Sequence, residues 1–398
     1  MYFSSLINSL TKRKVILISV LLISSFVLLR VSFGGFNFSH FVVAGSDFVV
    51  KDSLHPNLII NEGQGYDGQF FYRYAHSPLD TSRFAYGVTV DHIEYRIQRI
   101  LYPTTVWLFS LGGKYYLPFW LVISNLLAFI GIIYLFIKIG RIYKLNSHFA
   151  LFPLFAFGAY MSLARDTSEL FEAFFFVLAI YYFIRNSILL YTIAILLAIF
   201  SRETSLIAIG PLTLLVGLKL LKDNKFDLKL IAKGLLLAIP LLLILLWKFY
   251  LKTTINSDRL VDGSHNLSYP VYGIIYGAKQ NFNLSDFKLI FETIFWFLFL
   301  IWNIWFVSIV IKSIEFKQIK TLTVNSILSI VFLFWTLFSL ILGPAIYVDD
   351  WGFVRIFTLW NLLGFIILML NKKSINKLFM LFSIGLLFLL LVRLIIRV

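Results

Sequence analysis

Apolar runs of membrane-spanning length recur along the whole chain, separated by short clusters of lysine and arginine and, early on, by one long polar stretch. A helix needs about 20 apolar residues to cross a hydrocarbon core of roughly 30 Å. The runs at 15–31, 115–137, 148–164, 170–184, 188–200, 204–218, 234–250, 289–311, 322–342, 353–370 and from 378 onward predict about eleven crossings. The expectation is an all-α polytopic membrane protein, with 1–398 forming a single membrane domain. Lys12, Arg13 and Lys14 precede the first run, which has no cleavage site close behind it and reads as an uncleaved helix. With that flank cytoplasmic, Lys138, Arg141 and Lys144, then Lys219 to Lys233, then Lys312, Lys317 and Lys320, then Lys372, Lys373 and Lys377 fall inside, as the positive-inside rule requires. Segments 32–114 and 251–288 become the first and second external loops. Arg393 and Arg397 oppose this map, because they follow the final run on its outer side.

Two stretches do not fit a plain crossing. The piece 97–111 is short and contains Pro103, and a crossing there would place Lys138 and its neighbours outside, so it reads as an interfacial or re-entrant helix. The runs 170–184 and 188–200 are also short, the second reaching only about 20 Å at 1.5 Å per residue. They predict a hairpin that either ends in a water-filled depression or re-enters. Removing both leaves the orientation of every later helix unchanged.

Composition narrows the class. With 60% hydrophobic and 14% charged residues and a mean hydropathy of +0.87, the 398-residue chain is not a water-soluble protein. A net charge of +15 would suggest nucleic acid in a soluble domain, but here the basic residues flank apolar runs and suit anionic lipid, so no nucleic-acid partner is expected. The absence of cysteine removes disulfides and thiolate chemistry. The six histidines form no H-x-x-x-H or H-E-x-x-H pattern, and neither a G-x-G-x-x-G nor a Walker loop is present. No cofactor is predicted, although loops of arginines and acids tolerate a divalent cation.

The ionisable residues of the predicted spans and loops gather on one side. Asp67, Arg96, Arg99, Arg165, Asp166, Glu169, Arg202, Glu203, Asp349, Asp350 and Arg355 all fall at external helix ends or in external loops, and ionisable groups beside a bilayer tend to mark a substrate path. In NEGQGYDGQFFYRYA, residues 61–75, Asp67 sits between Tyr66 and Gly68. Asp-Gly is a turn signal, so Asp67 is either a turn residue or a functional carboxylate. Tyr66 and the nearby aromatics suit sugar rings and lipid chains, while Gln69 and Arg73 suit hydroxyls and phosphates. Arg96 and Arg99, at i,i+3, either point together at one phosphate or snorkel at the interface. Asp166 and Glu169 predict a variant capping box. Arg202 and Glu203 are expected to pair with Asp166 or Arg165, giving a structural ion-pair network of Arg165, Asp166, Glu169, Arg202 and Glu203 around a cavity. Glu172, one turn deeper in an otherwise apolar helix, is harder to dismiss as structural. Asp349 and Asp350 precede a helix start, where negative charge suits the dipole.

The succession YDGQFFYRYAHSPLD, YRIQRILYP, ARDTSEL and SRETSL resembles a group of bacterial multispanning proteins with the GT-C glycosyltransferase fold, linked to cell-surface glycopolymer assembly. YDGQ is also similar to the WDG-type motif of GPI-anchor mannosyltransferases, with Tyr66 where those have Trp. The resemblance covers 61–206, and beyond it only hydropathy matches. It implies a GT-C-like fold in a bacterial inner membrane, a polyprenyl-phosphate-linked sugar used on the external face, an acceptor glycan or glycolipid, and Asp67 as catalytic base. The residues fit such chemistry by themselves. A departing phosphate needs positive charge, which Arg96, Arg99 or Arg355 can supply, and one distinctive carboxylate suffices for an inverting displacement. The rival expectation is a transporter or flippase for lipid-linked saccharides, although the acids lie to one side rather than at mid-membrane.

Overall fold

The computed structural model describes residues 11–50, 58–113, 115–255, 266–373 and 375–396, the side chain of Asp350 excepted. The chain opens with helix α1 (Lys12–Phe33), started by Thr11, whose side chain accepts from the Lys14 N–H. The first long polar segment then folds back on itself. Strand β1 (Ala44–Gly45) pairs in parallel with β2 (Ile60–Asn61), helix α2 (Gly68–His76) follows, and β3 (Phe84–Ala85) and β4 (Val88–Thr89) form a hairpin. Two short helices, α3 (Ile93–Ile97) and α4 (Leu101–Phe109), complete it. The nine residues of α4 are far too few to cross, in keeping with the expectation for 97–111.

Among the described residues the remaining elements are helices. Helix α5 (Leu117–Ile142) is followed by a 3-10 stretch (Ser147–Phe155), with Pro153 inside it, that meets α6 (Phe157–Ala164) at a 58° bend. Helices α7 (Glu169–Ile184) and α8 (Ile188–Ser201) form the expected short hairpin, turning at Asn186 with φ of +54°. Helices α9 (Leu206–Asp223) and α10 (Leu228–Ile255) come next, then α11 (Tyr272–Asn281), which falls within the stretch 251–288. Helix α12 (Phe287–Ser313), α13 (Val324–Ser339), α14 (Pro344–Val348), α15 (Asp350–Ile356), α16 (Thr358–Leu370) and α17 (Lys377–Ile396) finish the bundle. Among the described residues seven helices are long and apolar enough to cross a membrane, or eight if the bent pair counts as one. This is an all-α polytopic membrane protein, and the eleven crossings expected from hydropathy are not reached by length. Helices α7, α8 and α13 have only 16, 14 and 16 residues. A short apolar run packed on protein and a short apolar run facing lipid give the same hydropathy.

Helix α12 fixes two ends of the bundle. Its 27 residues span about 40 Å at 1.5 Å each. At one end Ser313 accepts from Asn371, which also bonds Asn325 at 2.6 Å, while Lys222 reaches the Thr321 carbonyl at 3.4 Å. The basic clusters after α9, α12 and α16 are therefore gathered there. At the other end Glu292 of α12 forms an ion pair with Arg393 of α17. Arg393 is buried, so it is a charge neutralised inside the bundle rather than one facing headgroups; Arg397 lies outside the described residues. Close by, the buried Arg30 of α1 donates to the carbonyls of Ala164, His40 and Leu394, tying α1 to α6, to the first loop and to α17.

Candidate functional site

The site begins with a backbone constraint. Gly65 has φ of +63° and lies directly against the Gly45 backbone, where a Cβ would collide. The close approach lets the Tyr66 N–H bond the Val43 carbonyl at 2.8 Å, and it delivers the chain to the start of α2. Asp67 occupies the N-cap position of α2, yet its side chain makes no capping hydrogen bond. The carboxylate turns instead to arginines. Its Oδ1 meets Arg96 Nη1 at 2.8 Å, and its Oδ2 meets both terminal nitrogens of Arg355 at 3.2 Å. Burial by itself raises a carboxyl; here Arg96 and Arg355, with Arg99 and Arg202 farther off, overcome it and hold Asp67 well below the usual carboxylate range.

The pairing continues on both sides. Arg96 is held by Asp91 at 2.6 and 2.9 Å and lies 4.2 Å over the Phe70 ring. Arg355 also meets Glu169 at 3.2 Å, and Glu169 pairs with Arg202. Asp91, Arg96, Asp67, Arg355, Glu169 and Arg202 thus form an alternating chain of three acids and three arginines, so each buried charge has an opposite neighbour.

Asp67 opens into a cavity of about 590 Å³ between the first loop and α15. Asp91 and Asp349 share its wall with Asp67, as do the amides of Asn61, Gln64 and Gln69. Phe48, Phe70, Tyr66 and Trp351 supply aromatic surface, and Arg96 and Arg165 supply the guanidinium groups. Carboxylates, amides and aromatic faces together suit a hydroxyl-rich ligand. Among the described residues no group of three or more His, Asp or Glu is arranged to hold a metal ion.

A stack of alternating cations and rings runs along one wall. Arg355 lies 4.6 Å from the Tyr66 ring centroid, and Arg165 lies 4.7 Å from that ring and 4.2 Å from Trp351. Arg393 then lies 3.7 Å from the same Trp351 ring. Five side chains from the first loop, the turn between α6 and α7, α15 and α17 are thereby held in one column.

The expected site residues separate into groups. Asp67, Tyr66, Arg96 and Gln69 line the large cavity. Gln69 also has a structural task, accepting from the Gly45 N–H and donating to the Gln64 carbonyl. Arg73, expected to bind substrate, is fully buried and holds the 77–84 turn through the carbonyls of Asp80 and Ser82. Arg99 does not share a phosphate site with Arg96, because its guanidinium forms a two-pronged pair with Glu203 at 2.8 and 3.0 Å. Arg355 stands behind Asp67, beside a much smaller cavity of about 10 Å³ lined by Glu169, Glu172 and Arg202, room for about one water.

Within the expected ion-pair network, Arg202 pairs with Glu169 and Glu203 with Arg99, not with Asp166 or Arg165. Asp166 caps nothing: the N-cap position of α7 belongs to Ser168, and Asp166 sits at φ of +47° with no hydrogen-bond partner for either oxygen among the described residues. Burial raises its carboxyl well above the usual range, with Arg30 pulling the other way, and a neutral acid tolerates that setting. Arg165 leaves the network for the cavity wall. Asp349 does cap α15, accepting from the Trp351 N–H at 3.2 Å, and it also accepts from the Tyr66 hydroxyl at 3.3 Å. Asp91, Trp351 and Arg393 were not legible as site residues, although an acid five residues ahead of Arg96 at a helix start was a usable signal. Comparison of the chain with protein-family models, with curated proteins and with solved structures finds no match.

Proposed function

We propose that this chain is an inverting GT-C-type glycosyltransferase that moves a sugar from a polyprenyl-phosphate donor to an envelope glycan or glycolipid at the external face of a bacterial plasma membrane. The observation that carries the reading is the arginine-held Asp67 facing a cavity of carboxylates, amides and aromatic rings at one end of a membrane bundle. The acceptor oxygen bonds to the anomeric carbon, the bond from that carbon to the phosphate oxygen breaks with its electron pair going to the phosphate, and the hydroxyl proton passes to Asp67. A carboxylate of low basicity suffices, because the hydroxyl becomes strongly acidic as its oxygen bonds to carbon. Arg96, in contact with Asp67 and on the cavity wall, supplies positive charge beside the reaction.

The gathering of basic clusters at the end of α12 remote from the cavity supports a cytoplasmic basic face and an external site. With the N-terminus cytoplasmic, the eleven-crossing map holds if α7, α8 and α13 cross a bilayer thinned or indented at the cavity.

The test is Asp67→Asn in proteoliposomes with verified insertion, assayed for transfer from labelled polyprenyl-phosphate sugars. A loss of roughly 10²- to 10⁴-fold is expected. Unchanged transfer overturns the base assignment, and lost translocation with no transfer step at all favours a flippase.

A further inference from the structure

Helices α9 and α10 are the two least buried of the seven long apolar helices among the described residues, and a groove of about 430 Å³ runs between them. That volume falls in the range of ligand sites, about 300–1,000 Å³. Leu214 and Leu221 of α9 and Ile231 of α10 line it with apolar surface, and the turn that joins the helices adds the exposed ring of Phe226. Two helix-interior glycines shape the slot. Gly217 and Gly234 both line it, and a Cβ at Gly234 would meet nothing within 4 Å, while one at Gly217 would meet only Leu237 Cδ1 at 3.8 Å. No neighbouring backbone demands either glycine, although each weakens a helix relative to alanine. The missing side chains leave room for something outside the chain to lie against the helix backbone.

Charge at the turn narrows what that is. Five lysines, Lys219, Lys222, Lys225, Lys229 and Lys233, stand against two acids, Asp223 and Asp227. Asp223 is taken by Lys219 at 2.5 Å, and Asp227 accepts from the Leu230 N–H at 2.7 Å. Lys225, Lys229 and Lys233 form no ion pair with any described residue, and each immediately precedes a residue of the groove, Phe226, Leu230 and Gly234. Lysine stems lie along apolar surface and carry their ammonium groups to its edge, and basic clusters beside a membrane helix attract anionic headgroups. A partner helix, about 10 Å across with a 5.4 Å pitch, would fill such a volume with roughly one turn, whereas a flexible hydrocarbon chain can follow the slot.

We infer that the groove between α9 and α10 binds one chain of an anionic glycerophospholipid of the phosphatidylglycerol class, with the lipid phosphate at Lys225, Lys229 and Lys233. The site shares no lining residue with the cavity at Asp67 and does not depend on the transferase reading. A lipid held there stabilises the folded helix pair by mass action.

Native mass spectrometry of the full chain in detergent micelles reads the binding directly, with phosphatidylglycerol and phosphatidylcholine of identical acyl chains as probes. Phosphatidylglycerol should bind at least about 10-fold more tightly, and the triple variant Lys225→Gln, Lys229→Gln, Lys233→Gln should weaken it by roughly 10- to 100-fold. Gly234→Leu keeps every lysine, has space for its side chain and favours the helix, so it should fold normally and weaken phosphatidylglycerol binding by about 10-fold or more by filling the slot. Equal affinity for the two lipids overturns the inference. Wild-type affinity in Gly234→Leu also overturns it, because only the general attraction of a basic surface for anionic lipid would then remain. Should the triple variant fail to insert, wild-type protein with phosphatidylglycerol carrying a photoreactive acyl chain decides the matter: cross-links should concentrate in 213–238, and an even spread over the exposed helices overturns the site. Polyprenyl phosphate that displaces phosphatidylglycerol from the groove at equal concentration overturns the assigned lipid class. None of these readouts involves sugar transfer, so this inference and the transferase reading fail separately.

Discussion

A single residue shows how much chemistry can be read before any fold is known. Asp67 stood out because an Asp-Gly pair bracketed by aromatics is an economical way to expose a carboxylate, and Arg96 because helical spacing placed it near the same surface. Arg165 was expected in an ion-pair network, and its place beside two rings on the cavity wall was not foreseen. Its partners Tyr66 and Trp351 lie far away along the chain, and no spacing rule connects them. Arg73 misled for a related reason, since an arginine beside a candidate site looks the same whether it meets a ligand or closes a turn. His40 makes a prediction at this scale. Burial, then Arg30 and Arg165, lower its imidazole to about 4 from the usual 6.5. The unfolded chain therefore takes up the proton first as pH falls. The stability contributed by neutral His40 is complete above about pH 6.5 and is lost between there and about pH 4. The melting temperature of the wild type should drop on acidification across that window, and that of His40→Gln should drop less; equal drops would show that His40 is not a source of the acid sensitivity.

Elements were legible where hydropathy alone decides them. Helices α5, α10, α12 and α17 fall where the apolar runs predicted, because an apolar run of about 20 residues has no other stable form in lipid. The short pieces were not settled in advance. Neither the bend between Ser147–Phe155 and α6 nor the break at Phe357 between α15 and α16 leaves a trace in mean hydropathy, since both breaks are themselves apolar. Pro153 was the one visible signal. The capping box at Asp166 failed because an acid buried away from the helix N–H groups and a true cap share the same local spelling. Helix α2 offers the sharpest test. A Cβ on Gly68 would lie 2.5 Å from the Arg165 carbonyl and 2.6 Å from that of Val42, both backbone atoms that cannot swing aside. Gly68→Ala should cost about 1–3 kcal/mol and displace Asp67. In contrast, Gly210→Ala in α9, with open space around it, should be neutral or stabilising by up to about 1 kcal/mol. Thermal melting of both variants, together with transfer assays, separates the two; a benign Gly68→Ala would show that α2 is not pinned there.

Across the whole molecule, side chains separated by hundreds of residues converge on one end, and the sequence pattern indicated the side but not the partners. The gathering of acids and arginines was visible as soon as the helices were ordered, whereas the alternating chain from Asp91 to Arg202 and the column from Arg355 to Arg393 depend on packing that hydropathy does not encode. Arg30 is the clearest case of a global tie. Arg30→Leu removes donors from three buried carbonyls on three different segments, and it should cost roughly 2–4 kcal/mol and expose α17 to added protease. An unaltered melting temperature and cleavage pattern would remove that tie from the account. The contact between α1 and the backbone at Leu394 also bears on how the protein is made. Neither the guanidinium at position 30 nor the Trp351 ring finds its full set of neighbours until α17 has left the ribosome and entered the bilayer. A nascent chain halted short of that helix would carry every acid in the cavity wall and still lack its final brace, so competence arrives late in translation rather than building up helix by helix.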